Sequence, residues 1–237
     1  MARLKPALVL LPGMDGSGML FAPLIKALGE GQRVIQLSYP HDRVLNYDAL
    51  VQLARQALPD DAPYVLLGES FSGPIAITLA AQHPPGLLGL VLCCTFAANP
   101  RPALRRLGWL VHGALVKPAA SQLAAPLLLG RAGDAEARAL LVRALAPVTG
   151  AVLAQRVRAV LAVDVSAALP AVAVPIHYLQ AQRDRLVPPR CAVEIARWHP
   201  QVVLHAVDGP HCLLQAAPAA CAALLRAILA ELGSASA

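Results

Sequence analysis

Residues 66–74 read Leu-Leu-Gly-Glu-Ser-Phe-Ser-Gly-Pro, preceded by Tyr64-Val65 and followed by the apolar run IAITLAAQH. An apolar strand thus meets a helix within the span of one serine. A serine held in such a strand-to-helix turn is presented at the strand's carboxyl end, and glycines two residues to either side let strand and helix pack closely. Gly68 meets the upstream requirement, whereas Ser72 occupies the downstream position and Gly73 follows one residue late. Serine is small enough for a close approach, so Gly68, Ser72 and Gly73 are read as an elbow around Ser70. Whether Ser70 is a nucleophile depends on the rest of the chain.

Working outward, short apolar runs recur at residues 7–11, 33–37, 64–67, 87–94, 174–179 and 202–207. Each reads as a strand buried on both faces, the pattern of a parallel sheet. Between the first four lie helix-length segments at 19–28, 47–58 and 71–82, which is strand–helix alternation. The expected fold is α/β, with about six mostly parallel strands and helices on both faces. Residues 99–170 break the alternation: they contain no convincing strand and read as short helices punctuated by Pro102, Pro118, Pro126, Gly130 and Pro147. They are expected to form a helical lid inserted into a core made of residues 1–98 and 171–237, the whole being one compact unit.

The 237 residues are 57% hydrophobic and only 14% charged, enough for a large core. The formal charge of +6 comes mostly from scattered arginines, without the dense basic run or interleaved aromatics of a nucleic-acid surface. Five cysteines, two of them adjacent at Cys93-Cys94, suggest neither a disulfide framework nor a metal site. Reduced, buried thiols in a cytoplasmic protein are the expectation. No signal cleavage site follows the N-terminal apolar run, and no uninterrupted apolar segment reaches 18 residues, so no membrane span is expected.

A serine nucleophile needs a base within hydrogen-bond reach and a carboxylate to hold the base's other nitrogen. After the strand ending IHYLQA comes QRDRLVPP, with Asp184; after VVLHAV comes DGPHCLLQ, with His211. Both lie beyond the carboxyl ends of strands, where the functional groups of open α/β sheets gather. His177 and His205 sit inside strands, His41 and His83 by turns remote from that edge, and His112 and His199 in helical segments. Asp208 is too close to His211 in sequence to orient it. The tetrahedral intermediate of acyl transfer also needs two backbone N–H donors. These are assigned to Phe71, which follows Ser70, and to Met14 in the glycine-rich loop LLPGMDGSGMLF. That loop lacks the GKS or GKT of a phosphate loop and any dinucleotide fingerprint.

In LPGMDGSG, GESFSGP, QRDRLVPP and DGPHCLLQ the chain resembles the α/β-hydrolases, and the resemblance extends over nearly its whole length. More narrowly it resembles small bacterial esterases of the pimeloyl-carrier-protein methyl esterase type. The resemblance implies Ser70 as nucleophile, Asp184 as orienting acid, His211 as base and the Met14 and Phe71 amides as oxyanion hole. It implies no metal or organic cofactor. Two departures are Ser72 in place of glycine and Pro12 where the family often has a histidine. The expected function is a serine carboxylesterase acting on small to medium acyl esters through an acyl-enzyme. A carrier-protein methyl esterase, a thioesterase, a C–C hydrolase, an acyltransferase and a non-catalytic ligand receptor are the alternatives. Phe96, Leu107, Trp109, Leu110 and residues 127–129 are the expected acyl pocket. The arginines at 101, 105, 106, 131, 138, 143, 156 and 158 are expected to form a basic rim, which suits an acidic acyl carrier protein as partner.

Overall fold

The fold is described from a computed structural model for residues 5–114, 116, 124–130 and 133–235, with the side chains of Leu107, Ala124 and Ala235 outside that description. Six strands form one sheet: β1 Ala7–Leu11, β2 Val34–Gln36, β3 Tyr64–Glu69, β4 Leu87–Cys93, β5 Ile176–Ala181 and β6 Val203–Val207. Their spatial order is β2-β1-β3-β4-β5-β6, and every pairing is parallel. The elements agree with the sequence reading to within a few residues at their ends. The fifth strand was expected from 174 but begins at Ile176, because Pro175 has no N–H to give to the ladder and contributes only its carbonyl, to the Leu90 N–H at 2.9 Å.

Strand side chains alternate between two cores, as a pleat with period two requires. Ala7, Val9 and Leu11 of β1 and Leu66 of β3 enter one core; there they meet Leu50, Val51 and Ala54 of the helix Tyr47–Gln56 and Ile75 of the helix Gly73–Ala80. Leu8, Leu10, Val65 and Leu67 enter the other, against Leu24 of the helix Ala22–Leu28 and Leu225 and Ile228 of the helix Pro218–Ala235. Each fully buried Leu or Val contributes about 1.5–3 kcal/mol of transfer free energy, so the sheet is anchored from both sides. The five cysteines are unpaired and buried. His177 and His205, read as packing residues, stack on each other across β5 and β6 with ring nitrogens 3.0 Å apart.

Between β4 and β5 the chain runs through the 3₁₀ segment Pro102–Leu110 and the helices Ala124–Leu128, Ala135–Leu145 and Gly150–Ala162. Asp134 and Thr149 start the last two by accepting from the N–H groups of Ala137 and Val152. The Thr149 N–H reaches the His41 carbonyl at 2.8 Å, which ties this helical segment to the loop after β2. Among the described residues no single helix is long and apolar enough to cross a membrane.

Candidate active site

β3 ends at Glu69 and the chain turns at once into the 3₁₀ turn Ser70–Ser72. Ser70 has φ 49°, a left-handed conformation that a non-glycine residue adopts only when its surroundings enforce it. Those surroundings are visible. The Thr95 hydroxyl, just past β4, donates to the Ser70 carbonyl. A Cβ on Gly68 would lie 2.7 Å from the Ala76 Cβ, and one on Gly73 would collide with the Thr95 side chain. Gly73, one position late in the motif, is therefore required for its own reason. Ser72 is fully buried; its hydroxyl donates to the Pro12 carbonyl at 2.5 Å and lies 2.7 Å from the Tyr39 hydroxyl.

The turn places the Ser70 Oγ 2.8 Å from the His211 Nε2. On the far side of the ring, the His211 Nδ1 lies 2.8 Å from the Asp184 Oδ2. Both of these side chains are almost fully buried. The other Asp184 oxygen, Oδ1, accepts from the N–H groups of Leu186 and Val187 at 2.8 and 2.9 Å. Three donors thus fix the carboxylate, and the carboxylate fixes the ring with Nδ1 as donor, leaving Nε2 to accept the serine proton.

The loop after β1 lies beside this chain of hydrogen bonds. Gly13 and Met14 line the same cavity as Ser70 and His211, and among the described residues the Met14 N–H has no acceptor. The Phe71 N–H belongs to the first turn after the strand, where helical N–H groups have no partner within the helix. The Phe71 ring points away, stacked on Tyr47 at 4.9 Å.

The cavity measures about 470 Å³ and is lined mostly by apolar side chains, among them Leu110, Leu127, Leu128, Leu141, Leu145 and Leu153. Leu110, Leu127 and Leu128 are expected pocket residues that line it. Other expected pocket residues do not line it: Phe96 packs into a separate buried cluster with Val187 and Cys191, and Trp109 is 72% exposed. In the 3₁₀ segment one residue's displacement moves a side chain by about 120°, which separates Trp109 from Leu110. Leu129 is buried but does not line the cavity. The side chain of Leu107 lies outside the described residues, as does Arg131. The expected basic rim is also revised, because Arg156 is buried beneath the helical segment and bonds to main-chain carbonyls.

One site residue carried no role in the sequence reading. Glu69 is 5% exposed and lines the cavity beside Ser70; its Oε1 accepts from the Gln215 side chain at 3.0 Å, while its Oε2 has no partner among the described residues. The signal was available in a lone acid ending an apolar strand. Burial pushes the Glu69 carboxyl up to about 7, with nearby Asp15 adding to the effect and Gln215 opposing it. The unfolded carboxyl titrates near 4.5. Between these values the folded chain holds a proton that the unfolded chain has released, so stability falls as pH rises through this window, by about 3 kcal/mol in all. Glu69→Gln should remove that loss, so its urea midpoint at about pH 8 relative to pH 5 should stand higher than the parent's; the lowered His177 and His205 titrate in both proteins alike and cancel in the comparison.

A sequence profile described as alpha/beta hydrolase fold matches residues 6–143, more than half of the chain. The chain belongs to that family. Its structure is similar to a hydrolase from Oleispira antarctica, with a TM-score of 0.82 at 16% identity over 95% of this chain and 91% of that one. It is also similar to a thermophilic esterase from Thermogutta terrifontis, with a TM-score of 0.81 at 21% identity over 96% and 90%. At such identities these likenesses speak to the fold. In sequence, residues of this chain are 36% identical to phytyl ester synthase 1 of Arabidopsis thaliana over 93 residues, 37% of this chain and 13% of the plant protein's length.

Proposed function

We propose that this alpha/beta hydrolase fold protein is a serine carboxylesterase acting on esters with an apolar acyl group. The observation that carries the reading is the hydrogen-bonded chain Ser70–His211–Asp184 opening onto a leucine-lined cavity. In the first step the His211 Nε2 takes the Ser70 proton as Oγ bonds to the ester carbonyl carbon. The oxygen, now negative, accepts from the Met14 and Phe71 N–H groups. The bond to the leaving oxygen breaks as His211 returns the proton to the alcohol. Water then attacks the acyl-enzyme, His211 takes its proton, and release of the carboxylic acid restores the Ser70 hydroxyl. The helical segment between β4 and β5 serves as the lid that keeps bulk water from the acyl chain.

Because each buried methylene is worth about 0.8 kcal/mol, kcat/KM should climb with acyl length while the cavity has room. The test is a series of p-nitrophenyl esters from acetyl to palmitoyl. Leu127→Trp, which narrows the cavity at its partly exposed wall, should lower the octanoyl-to-acetyl ratio at least about fivefold. A ratio unchanged by this substitution would move acyl recognition elsewhere. Acyl transfer is a second reading, favoured by the apolar lining and by the name of the plant relative, an ester synthase. Adding a long-chain alcohol to the same assay separates the two, since transfer yields a new ester and hydrolysis only the acid.

A further inference from the structure

We infer that Arg156 is a positioning residue for the oxyanion hole, acting from the helical segment on the peptide that carries the Met14 N–H; the inference rests on the esterase reading above. The helix Gly150–Ala162 sends Arg156 inward until it is only 3% exposed. Its Nη1 donates to the Met14 and Asp15 carbonyls at 2.7 and 2.9 Å, and its Nη2 to the Pro40 carbonyl at 2.9 Å. The guanidinium also lies 5.9 Å from the centre of the Tyr39 ring. No carboxylate lies within ion-pair distance of it among the described residues, so backbone carbonyls compensate the buried charge. An apolar side chain would fill such a position at lower desolvation cost, which makes the hold on these carbonyls the reason for a cation here. The loop is shaped to the guanidinium: Gly16 has φ 70°, and a Cβ there would come within 2.6 Å of Nη1.

What is held is the orientation of one peptide unit. The Met14 N–H belongs to the peptide joining residues 13 and 14. That peptide's own carbonyl, on Gly13, accepts from the Gly16 N–H at 3.0 Å. The peptide before it is fixed through the Pro12 carbonyl, which accepts from the Ser72 hydroxyl; the peptide after it is fixed through the Met14 carbonyl, which accepts from Arg156. Because the one proton of the Ser72 hydroxyl goes to Pro12, the Tyr39 hydroxyl donates to Ser72 and completes the support. Three successive carbonyls are therefore engaged while the Met14 N–H between them stays free for the substrate oxygen. Arg156 bridges the helical segment to this loop, so the donor is aligned only when that segment is docked.

The experiment compares Arg156→Met and Arg156→Lys in the full chain. Loss of one oxyanion donor costs about 10²–10³ in kcat elsewhere. Arg156→Met should fall by about 10²-fold in kcat with KM within about threefold, and Arg156→Lys, which keeps the charge but not the fork, by about tenfold. The readout that a packing role would leave alone is inhibition. A trifluoromethyl ketone adds to Ser70 and leaves an oxyanion in the hole, so its Ki should rise by the same factor as kcat/KM falls. The matching primary alcohol, which carries no anionic oxygen for the hole, should bind each variant as it binds the parent. If Arg156→Met does not fold, Arg156→Lys decides alone. A folded Arg156→Lys with parental kcat and parental trifluoromethyl ketone affinity overturns the inference, as does a loss carried equally by the alcohol's affinity. Should Ser70→Ala be inactive while both Arg156 variants behave as the parent, the esterase reading stands and this one falls.

Discussion

Ser70→Ala is expected to fold normally and to lose ester turnover by about 10⁴-fold or more, the scale seen when a serine nucleophile is removed from such a hydrogen-bonded set. The substitution removes one oxygen from a residue whose backbone is held by Thr95 and by the close packing of Gly68 and Gly73, so nothing that shapes the turn is lost. Alanine also tolerates φ 49° no worse than serine does, which keeps the stability change small. Steady-state turnover of a p-nitrophenyl ester, with thermal unfolding as control, measures both halves of the expectation. A serine-directed fluorophosphonate should label the parent at Ser70 and fail to label the variant. Retained turnover in a folded Ser70→Ala protein would remove Ser70 from the mechanism, and an unlabelled parent would favour a receptor built on a hydrolase scaffold.

The second large effect belongs to Asp184→Asn. The Leu186 and Val187 N–H groups both donate to one oxygen of Asp184, so the asparagine must keep its carbonyl there and turn its NH₂ toward the His211 Nδ1. That forces Nδ1 to accept and puts the ring proton on Nε2, where it can no longer receive the proton of Ser70. In a serine protease the equivalent exchange leaves the geometry intact and lowers kcat by about 10⁴, and the same order is expected here. Substitution to alanine should cost less, because water can fill the space and the histidine is free to choose its tautomer. An Asp184→Asn protein within tenfold of the parent would show that another group orients His211.

The strand positions and the order of Ser70, Asp184 and His211 were readable because they rest on local pattern. Buried parallel strands announce themselves as apolar runs, and loops at their carboxyl ends converge in space whatever the sequence distance between them. What could not be read depends on which way a helix faces. Arg156 lies in AVLAQRVRAVLA two residues from Arg158, and both look like edge arginines; in the fold Arg158 is exposed and Arg156 is buried against the loop after β1. Phe96 follows β4 toward the site, yet its side chain turns to Val187 and Cys191. The same holds for Ser72. In the sequence it reads as a tolerated replacement for glycine, whereas its hydroxyl holds Pro12 from 60 residues away, a contact that no local pattern encodes.

The five buried cysteines give the protein a chemical clock. The neighbouring Cys94 thiol and burial raise Cys93 well above its ordinary range, and burial raises Cys212 likewise, Cys191 to about 11 and Cys221 to about 12. Thiolate is the reacting form, so a chromogenic disulfide reagent meets almost none of it while the chain is folded. Each thiol becomes reactive only when its own part of the core opens. Cys191 sits in the small cluster with Phe96, and Cys221 in the main core on one face of the sheet, so the order in which they are modified would time the opening of one region against the other.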